Sequence, residues 1–143
     1  MYKLIKEAHS GIAYIVLLGL VVSTIYYFVR FASKKQLNPK EKTISLITMI
    51  AVHLQFLIGL ILLFVSPITK SAFQDFGAAM KNDALRKQAI EHPVTMLIVV
   101  VLVTIANKKI KSSALQNSQL KVAAPVLYLV ALALALAMNP WNI

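Results

Sequence analysis

The chain has no cysteine. A disulfide, a thiolate metal centre and thioether attachment of a haem are therefore excluded, and any metal or cofactor must be held by histidine, methionine or carboxylate. Acidic residues are also scarce: five Asp and Glu stand against fifteen Lys and Arg, for a net charge of +10. No carboxylate lies deep in an apolar run, which argues against a carboxylate proton relay, a di-iron carboxylate site and paired-carboxylate hydrolysis. The four glycines (Gly11, Gly19, Gly59, Gly77) are too scattered for a phosphate-binding loop, and no nucleophile–His–Asp arrangement stands out. Only 14% of residues are charged, whereas soluble domains carry about 25%.

What remains is mostly apolar: 59% of the 143 residues are hydrophobic, which implies a single domain embedded in lipid. The positive charge lies in the gaps between apolar runs, as expected for loops touching anionic lipid, so nucleic acid is not an expected partner. The first run, Gly11 to Val29, is longer than the about 7–15 residues of a signal-peptide core and lacks a convincing cleavage site, so it reads as a retained span. The second run follows a strong helix start: Asn38 as N-cap, Pro39 at the first position and Glu41 in capping-box register. The third run, Pro93 to Ala106, is too short alone and must start near the cap candidates Asn82 and Asp83, which places Pro93 inside the helix and predicts a bend just after His92.

The fourth span ends at Asn139-Pro140, with Trp141 as an interfacial anchor. The spans fall at about 8–32, 40–66, 84–109 and 121–139. Between spans 3 and 4 and between spans 1 and 2 lie nine positive residues: Arg30, Lys34, Lys35, Lys40, Lys42, Lys108, Lys109, Lys111 and Lys121. Six lie on the other side, with four of the five acids. The expected fold is thus an all-α, integral-membrane four-helix bundle, up-down, with both termini outside and the lysine-rich loops in the cytoplasm. The connection over 68–82 places Phe73, Phe76 and Met80 on one side of a short interfacial helix, or of a lid over a site in the outer half.

Ionisable side chains within a bilayer are expensive and are functional candidates by default. Three histidines qualify: His9 at the mouth of span 1, His53 in span 2 and His92 in span 3. His53 is fourteen residues after Pro39 and thirteen before Ser66, near the midplane. His9 and His92 both lie near the outer surface, with His53 roughly 10 Å deeper. Two histidines on different helices can be axial ligands of one haem iron if their helices face each other diagonally. Gly11, Ser10, Ala13 and Gly19 would let a flat ring approach span 1; Gln55 and Glu91 are candidate outer groups, and Arg86 or Lys87 would pair with a propionate. Each histidine also has a plain structural reading: a wetted interfacial side chain for His9, a cap on carbonyls freed by the bend for His92, and a cross-helix hydrogen bond to a Thr48- or Gln55-type partner for His53. Span 4 carries Ala131, Ala133, Ala135 and Ala137, a close-packing pattern suited to the bundle interior or to a homo- or hetero-oligomeric partner.

Three local patterns, His9-Ser10-Gly11, His53-Leu54-Gln55 with Gly59, and Glu91-His92-Pro93 with Met96, give the chain a layout that resembles a family of small four-span bacterial membrane proteins known as cytochrome b-like. The resemblance implies haem b held by histidine in the bacterial inner membrane, and electron transfer with quinone or a respiratory complex. His92 is the first candidate ligand, His9 its favoured partner on depth and His53 the alternative; Gln55 and Gly11 complete the candidate cofactor site. An electron carrier or accessory subunit fits better than a stand-alone enzyme. The rival readings are a haem-free accessory subunit of a larger membrane complex and, less well matched, a small transporter, for which four spans without an internal repeat offer little polar lining.

Overall fold

No proline interrupts the chain before Pro39, and α1 extends over Tyr2–Ser33, starting well ahead of the apolar run itself. It stops where Lys34 takes a left-handed conformation (φ 57°) and returns its N–H to Phe31 O at 3.2 Å. Asn38 then accepts a hydrogen bond from the Lys40 N–H at 2.9 Å, and Pro39 opens a 3₁₀ turn, Pro39–Lys42, that leads into α2, Thr43–Val65. Glu41 does not close the expected capping box. Its carboxylate is drawn to Arg30 at 3.1 Å, and it only reaches the Asn38 amide at 3.4 Å. That ion pair ties the end of α1 to the start of α2.

The computed structural model describes residues 1–138, and every named element among them is helical. The expected closing motif Asn139-Pro140-Trp141 lies outside the described residues. The connection after α2 holds two short helices, α3 (Pro67–Gln74) and α4 (Phe76–Met80), rather than one. They break at Asp75, whose side chain caps α4 by accepting from the Ala78 N–H at 3.2 Å. Phe73, Phe76 and Met80 are exposed, while Ala72 and Ala79 pack with Ala89 beneath them.

The third long helix begins where its cap signal places it. Asn82 Oδ1 accepts from the backbone of Ala84 and Leu85, opening α5, Asp83–Arg86. A single π turn, Lys87–Glu91, follows, and then α6, His92–Leu115. The regular α-helical ladder thus fails just before Pro93, as a widened turn ahead of His92. Proline has no N–H for the carbonyl four residues back, and its ring crowds that carbonyl; one extra residue in the preceding turn relieves both. The His92 N–H accordingly reaches back five residues to Lys87 O. The last described helix is α7, Ala123–Ala137, shorter than the predicted 121–139.

α1 packs on α2 and α7, and α6 packs on the same two helices, so α1 and α6 face each other across the diagonal. The loops after α1 and α6 meet at one end. The Leu37 N–H donates to Ser118 O at 3.0 Å, and Gln36 and Gln119 form an antiparallel bridge. Nearby, Tyr27 and Tyr128 stack at 6.0 Å, both fully buried. The Tyr27 hydroxyl donates to Glu41 O at 2.7 Å and accepts from the Ser45 N–H at 3.0 Å, satisfying a first-turn donor of α2. The Ser45 hydroxyl donates to Asn107 Oδ1 at 3.0 Å and lies 2.6 Å from the Tyr128 hydroxyl, which therefore donates to it. One residue thus joins α2, α6 and α7.

Three helical stretches, Tyr2–Ser33, Pro39–Val65 and Asp83–Leu115, are long and apolar enough to cross a membrane. In their most apolar stretches only 28%, 11% and 22% of residues are buried inside the protein, so most of their apolar side chains point outward. Leu18 on α1, Leu57 on α2 and Leu97 on α6 are each at least half exposed. A surface so continuously apolar is foreign to soluble monomers and suits lipid. α7 is equally apolar but has 15 residues, about 22 Å of helix, against a hydrocarbon core of about 30 Å.

A two-histidine cavity between the diagonal helices

Towards the end of the bundle away from the lysine-rich loops, the diagonal gap widens into a cavity of about 200 Å³. α1 contributes Lys6, His9, Ser10, Ala13 and Leu17, a set at helical spacing along one face. α2 contributes Gln55 and Gly59, four residues apart, and the third long helix contributes Gln88, His92 and Met96. Thr69 of α3 reaches the wall, so the short-helix segment touches the site at one point. The floor, formed by residues such as Val16, Leu20 and Val99, is apolar.

The rings of His9 and His92 meet here, with centroids 6.4 Å apart and planes at 88°. Each is fixed differently. His92 Nδ1 lies 2.9 Å from Met138 O, at the end of α7. A carbonyl can only accept, so the proton sits on Nδ1 and the Nε2 lone pair is left available. His9 is held through its backbone, whose carbonyl accepts from Gln55 Nε2 at 2.6 Å, and through Gly59, where an added Cβ would lie 3.1 Å from the ring's Cε1. The glycine is there because the imidazole occupies the space a side chain would need.

The cavity is short of hydrogen bonds. His9 Nδ1, Gln55 Oε1 and Gln88 Oε1 are all buried without a partner among the described residues. Buried polar atoms are nearly always paired, and unpaired ones call for a bound water, ion or ligand. Three around one cavity leave places for a polar partner, bound water included. The described residues contain no cluster of three or more His, Cys, Asp or Glu that would cage a bare ion; the imidazoles on the cavity wall are those of His9 and His92.

The structure does not bring His53 to this place. It lies on an exposed face of α2, with Nε2 2.8 Å from the Thr104 hydroxyl. That hydroxyl donates to Val100 O at 2.6 Å, so His53 is the donor, and the pair is a cross-helix strut between α2 and α6. Gly11 also points away: it is exposed, and a Cβ there would meet nothing within 4 Å. Gly19 packs against Thr48 rather than the cavity. Arg86 is engaged by Glu91 at 3.1 Å and Asp83 at 2.9 Å and does not line the cavity; among the described residues the cation on its wall is Lys6, which forms no ion pair there. Lys6 and Gln88 were not legible as site residues, although Lys6 stands three residues before His9 and Gln88 four before His92, on the same helical faces.

Comparison with protein-family models, curated proteins and solved structures finds no match.

Proposed function

We propose that this chain is a four-span, up-down membrane protein of cytochrome b-like type, in which His9 and His92 hold a b-type haem. The carrying observation is the meeting of the two rings across the diagonal, at 6.4 Å and 88°, with the His92 tautomer set by Met138 O. His9 and His92, one from each of the two diagonal helices, would hold the iron through their ring nitrogens. The cavity of about 200 Å³ is below the roughly 300–1,000 Å³ usual for small-molecule sites, so this reading requires the α1–α6 gap to open around the macrocycle.

The haem iron would supply a one-electron redox change. The chain's own residues orient and select. Met138 O holds the His92 imidazole in the ligating tautomer, Gln55 braces the α1 backbone behind His9, Gly59 leaves room for the ring, and Lys6 offers a charge partner for a propionate. The apolar floor keeps water from the deeper side. Electron transfer with quinone or service to a respiratory complex of the bacterial inner membrane follows as the role of such a site. The lysine-rich loops lie on the cytoplasmic side and both termini outside.

The test is the visible spectrum of dithionite-reduced protein purified after expression with haem supplied. A near-stoichiometric α-band is expected in the parent and in His53→Leu, and its loss in His9→Leu and in His92→Leu. No band in the parent, or a band that depends on His53 instead, would overturn the reading. A haem-free accessory subunit is favoured by one observation: Ala133 and Ala137 stay exposed on α7 while Ala131 and Ala135 are buried, leaving a small-residue face open to a partner helix. Co-purification with a stable partner and no cofactor would support that alternative.

A further inference from the structure

A second cavity, of about 170 Å³, lies at the opposite end of the bundle between α2 and α6, lined by Lys42, Leu46, Met49, Asn107 and Lys111. Asn107 is 92% buried, from its exposure of 8%. Its Oδ1 is taken by the Ser45 hydroxyl, which is itself fixed by Tyr128. The amide is thereby oriented with its Nδ2 hydrogens away from Ser45, and, as Nδ2 is not among the buried unpaired atoms, they are available as donors on the cavity wall rather than orphaned.

The charges around it are one-sided. Neither Lys42 nor Lys111 forms an ion pair among the described residues. The one acid at this end, Glu41, is held at 3.1 Å by Arg30 and so is already neutralised. The side chains on the cavity wall therefore offer two ammonium groups and a fixed amide, all donors, while no carboxylate lines it. The remaining wall is apolar, and Leu46 is 40% exposed on the outer face of α2, beside the exposed Ile50. Donors above an apolar slope match a headgroup above acyl chains.

We propose that this cavity binds a phosphate group between Lys42 and Lys111, with the Asn107 amide as its buried donor, as the headgroup phosphate of an anionic phospholipid whose chains lie along Leu46 and Met49. A zwitterionic lipid carries its own ammonium and would bring a like charge to the two lysines, so the site discriminates by net headgroup charge. Lys108 and Lys109 are equally close in sequence and exposed like Lys111 but lie outside the cavity, which makes them the natural control.

The experiment is native mass spectrometry of the detergent-purified full chain with added dioleoyl phosphatidylglycerol, dioleoyl phosphatidylcholine or inorganic phosphate. One phosphatidylglycerol should be retained in preference to phosphatidylcholine. Retention should fall by roughly tenfold in Lys42→Gln/Lys111→Gln and stay unchanged in Lys108→Gln/Lys109→Gln. Retention or competition by inorganic phosphate alone, lost in the first pair only, would assign the same site to a free phosphate compound. Equal losses in both pairs, or no dependence on Lys42 and Lys111, would show unspecific surface charge and overturn the proposal. All four lysines are at the lipid–water end of the bundle, and the test does not use haem.

Discussion

At Gly59 a single methyl group is enough to test how His9 is held. An added Cβ would sit 3.1 Å from the ring's Cε1, so Gly59→Ala should push the imidazole by a few tenths of an ångström and Gly59→Leu should displace it from the cavity. The expected result is a weakened haem band in the first variant and none in the second, with the chain still folded by circular dichroism. Ser45 gives a sharper energetic comparison. Ser45→Ala strips the partner from Asn107 Oδ1 and leaves the Tyr128 hydroxyl only its long 3.4 Å contact to Ser45 O, whereas Tyr128→Phe removes the hydroxyl together with its need for a partner. An orphaned buried polar group costs about 1–3 kcal/mol, and a lost bond with no orphan far less. Ser45→Ala should therefore lower the melting temperature in detergent more than Tyr128→Phe does; the reverse order would show that the serine is not the hub. Sequence position grouped His9 with His92, which do meet, but did not show which way each side chain points. That His53 and Gly11 lie on exposed faces was not readable, because a helix apolar on nearly every side gives no rotational phase to read.

Among elements, the start of the third long helix was legible and its interior was not. Asn82 is a cap by chemistry, so its place could be read directly. Pro93 announces only that a regular hydrogen-bond ladder must fail near it. Whether the failure becomes a kink or a π turn depends on packing, here of Ala89 beneath Ala72 and Ala79. Arg86 fastens this region: its guanidinium donates to Met80 O at 2.8 Å as well as to Asp83 and Glu91. Arg86→Ala should leave the melting temperature almost unchanged, because exposed ion pairs contribute little to global stability. It should speed amide hydrogen exchange across α3 and α4, which that side chain ties to the third long helix through Met80 O beside the alanine contacts. Unchanged exchange over 67–82 would show that the alanine cluster alone holds the segment.

For the whole molecule, the absence of native cysteine makes topology directly measurable. Single substitutions Lys3→Cys and Ser118→Cys should separate cleanly in intact cells: a membrane-impermeant thiol reagent is expected to label the first and to reach the second only after permeabilisation. The opposite pattern would invert the orientation. The diagonal placement of α1 and α6 was foreseeable as one of the arrangements open to four helices, and it follows here from the packing of both on α2 and α7, with the Gln36–Gln119 bridge joining their loops at one end.

The described end of α7 has a consequence of its own for the cavity. Its last described carbonyl, Met138 O, receives the proton of His92 Nδ1, so the ring is tied to the terminus of one helix while its backbone belongs to another. Any sliding of α7 along α6 would therefore turn the imidazole as well as move the helix end. Hydrophobic mismatch costs fractions of a kcal/mol per ångström, enough to bias such a slide in a bilayer. The thickness of the host lipid would then act on the angle between the two imidazoles rather than on the helices alone.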